Sequence, residues 1–118
     1  MITDEKTVTV EKRIETLREF WPYYLNEHSH PINRASHFIG ASGALFWIGK
    51  AIISKKPSYL WLALLNGYGF AWIGHFFIEK NRPATFKYPL KSFVCDWAMF
   101  LCILAGKIDQ EMEKAKLV

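Results

Sequence analysis

Three long apolar segments dominate this chain and restrict the folds that it can adopt. They cover residues 35–54, 59–78 and 90–106, and short basic joints that contain proline separate them. A water-soluble globule needs a polar face on every helix, and these segments have few polar residues to supply one. Two segments reach the ~20 residues needed to cross a hydrocarbon core, and the third is near the lower limit of ~17. The pattern predicts an all-α integral membrane bundle with about three membrane-embedded helices; a soluble bundle is the alternative.

An amphipathic helix is predicted ahead of these segments, over residues 7–28. Pro22 lies inside it and predicts a kink or a restart of the helix near Trp21. Charged side chains separate the apolar positions, which recur every three or four residues as in one face of a helix. These positions are Val10, Ile14, Leu17, Trp21, Tyr24 and His28.

The predicted organisation is a single membrane domain over residues 1–118. The net charge is +4, and basic residues in the joints and at the chain ends are typical of contacts with lipid headgroups. No basic stripe runs along a helix, so nucleic acid is not an expected partner. Lysines and arginines flank both sides of the apolar segments and do not orient them, and the oligomeric state stays open. The apolar helices are predicted over residues 33–54, 59–80 and 90–106, followed by a charged tail over residues 107–118.

The four histidines lie near the first and the last residues of a predicted helical hairpin, on the side away from its turn. With the turn centred on Lys56, His37 and His75 are each nineteen residues away from it. In two antiparallel helices with a constant rise per residue, these two side chains reach the same depth. The short link after the amphipathic helix brings His28 to the same end. His30 is one residue off the apolar stripe and is expected to face solvent or to lie behind the other three.

Carboxylates accompany these histidines. Glu79 lies one helical turn beyond His75, and Asp96 lies about 9 Å inside the last apolar helix. Two or three imidazoles with a carboxylate suit a borderline divalent metal, including non-haem iron with open coordination positions. Zinc accepts the same donors, so the spacing does not distinguish the two metals.

Ordinary structural roles are the alternative for each of these residues. A histidine at a helix end is more often a cap or an interfacial side chain than a ligand. Asn33 is a candidate to support the ligands from behind or to contact the substrate, and its ordinary role is to cap the second helix. Asp96 either pairs with a basic residue such as Arg34 or holds a histidine ring from behind. Glu79 could instead form an ion pair with a following cation such as Arg82.

Two stretches of the sequence resemble a known family. "YYLNEHSHPINRASHFIG" and "WIGHFFIEKNRPA" are similar to motifs of small membrane proteins whose characterised fungal member is an iron(II)-dependent 2-hydroxy fatty acid dioxygenase of the endoplasmic reticulum. The similarity covers about residues 20–106. Carried over by position, the family's histidines fall on His28, His37 and His75, and its acidic position falls on Glu79. His30 departs from the fungal type, which has an acidic residue there.

The resemblance implies fatty acid α-oxidation, in which a 2-hydroxy fatty acid and O₂ give an acid shorter by one carbon. Fe(II) is the implied cofactor, and the three matched histidines are the implied catalytic residues. A basic residue near the mouth of the site, such as Arg34 or Arg82, is expected to hold the substrate carboxylate. The implied location is a multi-pass membrane protein, in the endoplasmic reticulum of a eukaryote or the inner membrane of a bacterium.

Two other functions remain open at this point. One is a non-catalytic small membrane protein whose histidines cap helices. The other is a different membrane metalloenzyme that uses zinc or iron on a lipid. A di-iron desaturase is not favoured, because such enzymes need about eight histidines in fixed boxes and this chain has four.

Overall fold

The computed structural model describes residues 13–117, and these residues form helices and turns without a strand. The all-α prediction is therefore confirmed. A π-helical turn, Gly74–Glu79, directly continues the third α-helix, and a 3₁₀ turn, Ala84–Phe86, precedes the fourth. In chain order the α-helices are α1 (Leu17–Asn26), α2 (Pro31–Ser54), α3 (Tyr59–Ile73), α4 (Pro89–Leu104) and α5 (Ile108–Lys116).

The first helix is shorter than the amphipathic pattern predicts. Residues 13–16 are not helical, because the side chain of Thr16 accepts a hydrogen bond from Glu19 N at 3.2 Å and caps α1 there. Residues 7–12 of the predicted helix lie outside the described residues. Pro22 lies inside α1 without ending it, and the helix stops at Asn26. His28 therefore projects from the link after α1.

The second and third helices form a long hairpin. Lys55 adopts a left-handed conformation (φ 56°) that ends α2, and α3 begins four residues later. The two backbones approach closely where the side chains are small: a Cβ atom on Gly40 would lie 3.0 Å from the carbonyl oxygens of Asn66 and Gly67. This packing holds the two helices in register and places the beginning of α2 beside the end of α3.

The remaining helices surround a separate hydrophobic core beside the hairpin. The predicted charged tail is the helix α5, and the indole nitrogen of Trp21 donates a hydrogen bond to Glu111 Oε1 at 2.9 Å, which ties α1 to α5. The hairpin meets this core where α2 contacts α4, and α4 in turn contacts α1. The largest buried side chains of the core are Phe20, Tyr24, Leu25, Tyr88, Met99 and Met112.

The structure supports one membrane-length helix where the sequence predicts three. Within residues 13–117, α2 is the helix that is both long and apolar enough to cross a membrane. The α-helical part of α3 has 15 residues before its π turn, and α4 has 16, so the prediction of three spans is not confirmed. Only 22% of the apolar stretch of α2 is buried inside the protein. Its apolar side chains therefore face outward, unlike those of a core helix.

Asn33 does not cap α2. The helix begins two residues earlier at Pro31, which suits the first helical position because it has no N–H to satisfy. The cap is His30, whose Nδ1 accepts a hydrogen bond from Ile32 N at 3.1 Å. Asn33 is instead fully buried against Gly74, and its side-chain amide has no hydrogen-bond partner within residues 13–117. The prediction of an Asn33 cap was wrong because the proline moved the helix start.

Candidate metal centre

Three histidine rings converge where the hairpin meets the separate hydrophobic core. The Nε2 atom of His28 lies 3.2 Å from Nε2 of His37 and 2.9 Å from Nε2 of His75. All three side chains are buried. Their ligand atoms all lie within 4.8 Å of one another, which is close enough to hold one ion. Among residues 13–117, no other group of three or more histidine, cysteine or acidic side chains is as compact. His30, the exposed cap of α2, is not part of this cluster.

An oxygen atom lies behind each ring and fixes its protonation. Carbonyl and side-chain amide oxygens only accept hydrogen bonds, so each Nδ1 donates its proton and each Nε2 carries a lone pair. The three contacts are His28 Nδ1 to Tyr24 O (2.6 Å), His37 Nδ1 to Asn33 O (3.0 Å) and His75 Nδ1 to Asn81 Oδ1 (2.7 Å). The three lone pairs therefore face one another.

The contact between Asn81 and His75 depends on the π-helical turn. Lys80, with φ 64°, ends this turn, and Asn81 N donates a hydrogen bond back to His75 O at 3.0 Å. The Asn81 amide nitrogen donates to the carbonyl oxygen of Glu27 at 3.0 Å and to its carboxylate at 3.2 Å. Because both of these partners are acceptors, the amide oxygen of Asn81 must face the histidine. Sequence reasoning missed Asn81, since a regular helix would not return the chain to the ring.

The donor set fits a divalent cation. Burial, followed by the proximity of His37 and His75, lowers the pKa of His28 well below its usual range, so this ring is neutral near pH 7. Three lone pairs without a proton between them repel one another, and a cation removes that repulsion. Three ligands about 2.1 Å from one ion and at right angles stand about 3.0 Å apart. The separations from His28 to the other two rings, 2.9 Å and 3.2 Å, match this spacing, and all three ligand atoms lie within 4.8 Å of one another.

Glu79 and Arg34 lie beside the cluster and hold the link that carries His28. The carboxylate of Glu79 accepts hydrogen bonds from Ser29 Oγ at 3.3 Å and from His30 N. The guanidinium of Arg34 donates to the carbonyl oxygens of His28 at 2.8 Å and Ser29 at 3.0 Å. Both side chains therefore stabilise the link. A ligand role for Glu79 and a substrate role for Arg34 stay predictions.

Asp96 is connected to the cluster through Tyr24. Its carboxylate accepts a hydrogen bond from the Tyr24 hydroxyl, and the alternatives from the sequence were Arg34 or a histidine ring. The Tyr24 ring stacks on His28 with centroids 4.1 Å apart. The apolar stripe of α1 places Tyr24 on the buried face, but no sequence signal pairs it with a residue 72 positions later. Arg82 is exposed, and its substrate role stays a prediction.

The three histidines also line a small pocket. Its other polar lining residues include Tyr68, Thr85, Ser92 and Asp96. Ser92 is 1% exposed, and its hydroxyl has no hydrogen-bond partner in the described part of the chain. A buried hydroxyl without a partner costs about 1–3 kcal/mol, which a ligand oxygen in the pocket would recover.

A larger apolar cavity of about 420 Å³ adjoins this pocket. His37, Tyr68 and Asp96 line both spaces, so the cavity begins at the cluster. Its volume lies within the range of about 300–1,000 Å³ that is usual for small-molecule sites. The small residues that line this cavity were interpreted from the sequence as helix-packing residues, so the space between α3 and α4 was not predicted.

Comparison with known proteins assigns the family. The model of the Mpo1-like family, described as 2-hydroxy-palmitic acid dioxygenase Mpo1-like, matches residues 14–108. This range contains all three clustered histidines and the residues behind their rings. No curated protein and no solved structure matches the chain. Since the match covers well over half of its length, the chain belongs to the Mpo1-like family.

Proposed function

We propose that this protein is an Fe(II)-dependent dioxygenase that shortens 2-hydroxy fatty acids by one carbon. The observation that carries the proposal is the convergence of three unprotonated Nε2 atoms with an oxygen atom behind each ring. The family description adds the reaction class and the type of substrate. In the balanced reaction, R–CH(OH)–COOH and O₂ give R–COOH, CO₂ and H₂O.

The residues of the chain bind and orient the reactants. His28, His37 and His75 would hold the ion and leave its pocket side open to ligands. When bound, Fe(II) supplies the electron transfer that O₂ requires and a site for the 2-hydroxy carboxylate. The unpartnered hydroxyl of Ser92 and the carboxylate of Asp96 are placed to hydrogen-bond the polar end of the substrate. The apolar cavity excludes water around the acyl chain.

The predicted cations and Glu79 receive different roles in this proposal. Arg34 is half-buried on the link that carries His28, whereas Arg82 is exposed, so Arg34 is the better candidate to attract the substrate carboxylate. Glu79 is occupied by the link, and we propose the three histidines as the complete set of protein ligands.

We also propose that the hairpin of α2 and α3 lies in a membrane. Large apolar side chains at its far end are open to the surroundings, with Ile53 84% and Trp61 71% exposed. A patch of this kind is unfavourable in water and favourable in lipid. The protein is expected to stay in the membrane pellet after an alkaline carbonate wash, in a bacterial inner membrane or an endoplasmic reticulum membrane. Its release into the supernatant would contradict a membrane-spanning hairpin.

The activity itself is tested by product analysis. Anaerobically purified protein, loaded with Fe(II) and given O₂ and 2-hydroxypalmitate, is expected to yield pentadecanoic acid and one CO₂ per acid by mass spectrometry. The His37→Ala variant is expected to lose about two orders of magnitude of this rate, because an ion-binding ring is removed. The matched His30→Ala variant keeps the rate, since His30 is outside the cluster. Unchanged substrate with iron-loaded wild-type protein, from 2-hydroxydecanoate to 2-hydroxyeicosanoate, would exclude this activity.

A further inference from the structure

The large cavity is an apolar space with one polar end. Small side chains of α2 and α3 form its floor, including Ala41, Ala44 and Gly67. At one end lie His37 and Asp96, next to the polar pocket. A chemically suitable occupant therefore has a polar head and an apolar tail.

The length of the cavity selects long tails. Ile48, which lines the far part, is eleven residues from His37, or about 16 Å along the helix. Leu60, at the other edge of the far end, is fifteen residues from His75, or about 22 Å. An extended saturated chain advances about 1.25 Å per methylene, from ordinary C–C bond lengths. The cavity therefore accepts about 13 to 17 carbons beyond the polar head.

The cavity is open along one side. In the described part of the chain α3 packs closely on α2 and makes few contacts with α4. Leu64 on α3 and Phe93 on α4 line the opening, and each is about half exposed. An acyl chain can enter through this side from a surrounding lipid layer, without passing the buried histidines.

We propose that this cavity binds one unbranched acyl chain of the substrate, with its head at the histidine cluster, and that Ile48 and Leu60 set the longest chain that fits. The proposal rests on the proposed function for the identity of the head group, a 2-hydroxy carboxylate. The bound tail lies between α3 and α4 on the floor of small residues from α2 and α3.

The proposal is tested by binding to metal-free protein in lipid nanodiscs, by competition against a fluorescent fatty acid. Gly67 lines the cavity about 12 Å from His75 along the helix, and a Cβ atom there would meet only Ala44 Cβ, at 3.8 Å. The Cβ atom of a leucine fits at this position, and the rest of its side chain is expected to shorten the cavity. Since each buried methylene contributes about fourfold in affinity, 2-hydroxypalmitate should bind more than tenfold more weakly, and 2-hydroxydecanoate should be unaffected.

Two further variants complete the test. Gly69→Leu is the matched control, because Gly69 is on the same helix with open space around it and does not line the cavity; its binding profile should equal that of the wild type. Leu60→Ala should extend the cavity and favour 2-hydroxyeicosanoate. Identical chain-length profiles for Gly67→Leu and Gly69→Leu, or no shift with Leu60→Ala, would overturn the proposal. Variant-dependent binding without any shortened product would instead leave the acyl site standing and remove the dioxygenase function.

Discussion

Replacing His75 by alanine is expected to remove nearly all bound iron from the protein. The wild type, purified without oxygen, should contain about one ion per chain, and the variant less than about a tenth of that. The physical reason is that His28 and His37 alone leave two ligands and an empty third position in a buried site. Metal content is measured by inductively coupled plasma mass spectrometry, with zinc determined in the same samples.

The control for this experiment is His30→Ala, which removes an exposed helix cap and leaves the cluster intact. A graded loss of metal affinity is expected when Asn81, which supplies the oxygen atom behind His75, is replaced. Asn81→Ala should weaken metal affinity about 10–100-fold. Asn81→Asp keeps the oxygen acceptor for His75 but loses both hydrogen bonds donated to Glu27, so its metal affinity should lie between that of Asn81→Ala and that of the wild type. Stoichiometric iron in His75→Ala, or no metal in the wild type, would refute the three-histidine centre. Stoichiometric zinc would keep the centre and remove iron from the proposal.

The largest expected effect on stability comes from Gly74→Ala. A Cβ atom on Gly74 would overlap the buried side-chain oxygen of Asn33 and would lie 3.3 Å from Ser36 Cβ. Because Asn33 is fully buried, this overpacking should lower the free energy of unfolding by about 1–3 kcal/mol. The change is measured as a decrease in the thermal unfolding temperature in detergent micelles.

Two other variants separate overpacking from a general effect of the mutation. Gly69 lies on α3, five residues before Gly74, and is exposed with nothing within 4 Å of an added Cβ atom, so Gly69→Ala should stabilise the helix by up to about 1 kcal/mol. The double variant Gly74→Ala with Asn33→Ala removes the overlapping atoms and should recover much of the loss. If Gly74→Ala unfolds at the same temperature as Gly69→Ala, the close packing of Asn33 on Gly74 is not important for stability.

The proximity of the histidines follows from the sequence because it depends only on regular helix geometry. A hairpin with its turn near Lys56 places His37 and His75 at one level, and the structure has them there, with the left-handed residue at Lys55. The apolar stripe of α1 indicates that Tyr24 and His28 are buried, and both are. These features require only a constant rise per residue and an apolar side for each helix.

Features that depart from regular geometry could not be predicted. The π-helical turn that carries His75 has no distinct signal in "GHFFIE", yet it decides that Asn81 reaches the ring. It also ends the α-helical part of α3 at Ile73, although the helical segment continues to Glu79, one residue before the predicted end. The pairing of Tyr24 with Asp96 depends on how α1 crosses α4, a tertiary contact that periodicity within one helix does not specify.

The neutrality of all three imidazoles has a further consequence for substrate choice. With no carboxylate among the three ligands, a bound divalent ion would have its charge offset only in part, by Asp96 in the pocket lining, in surroundings of low dielectric constant where electrostatic attraction is strong. An acid brings the compensating negative charge, whereas an amide or an alcohol of the same chain length does not. The centre would thus discriminate against 2-hydroxy amides and diols by charge balance alone, before the shape of the tail matters.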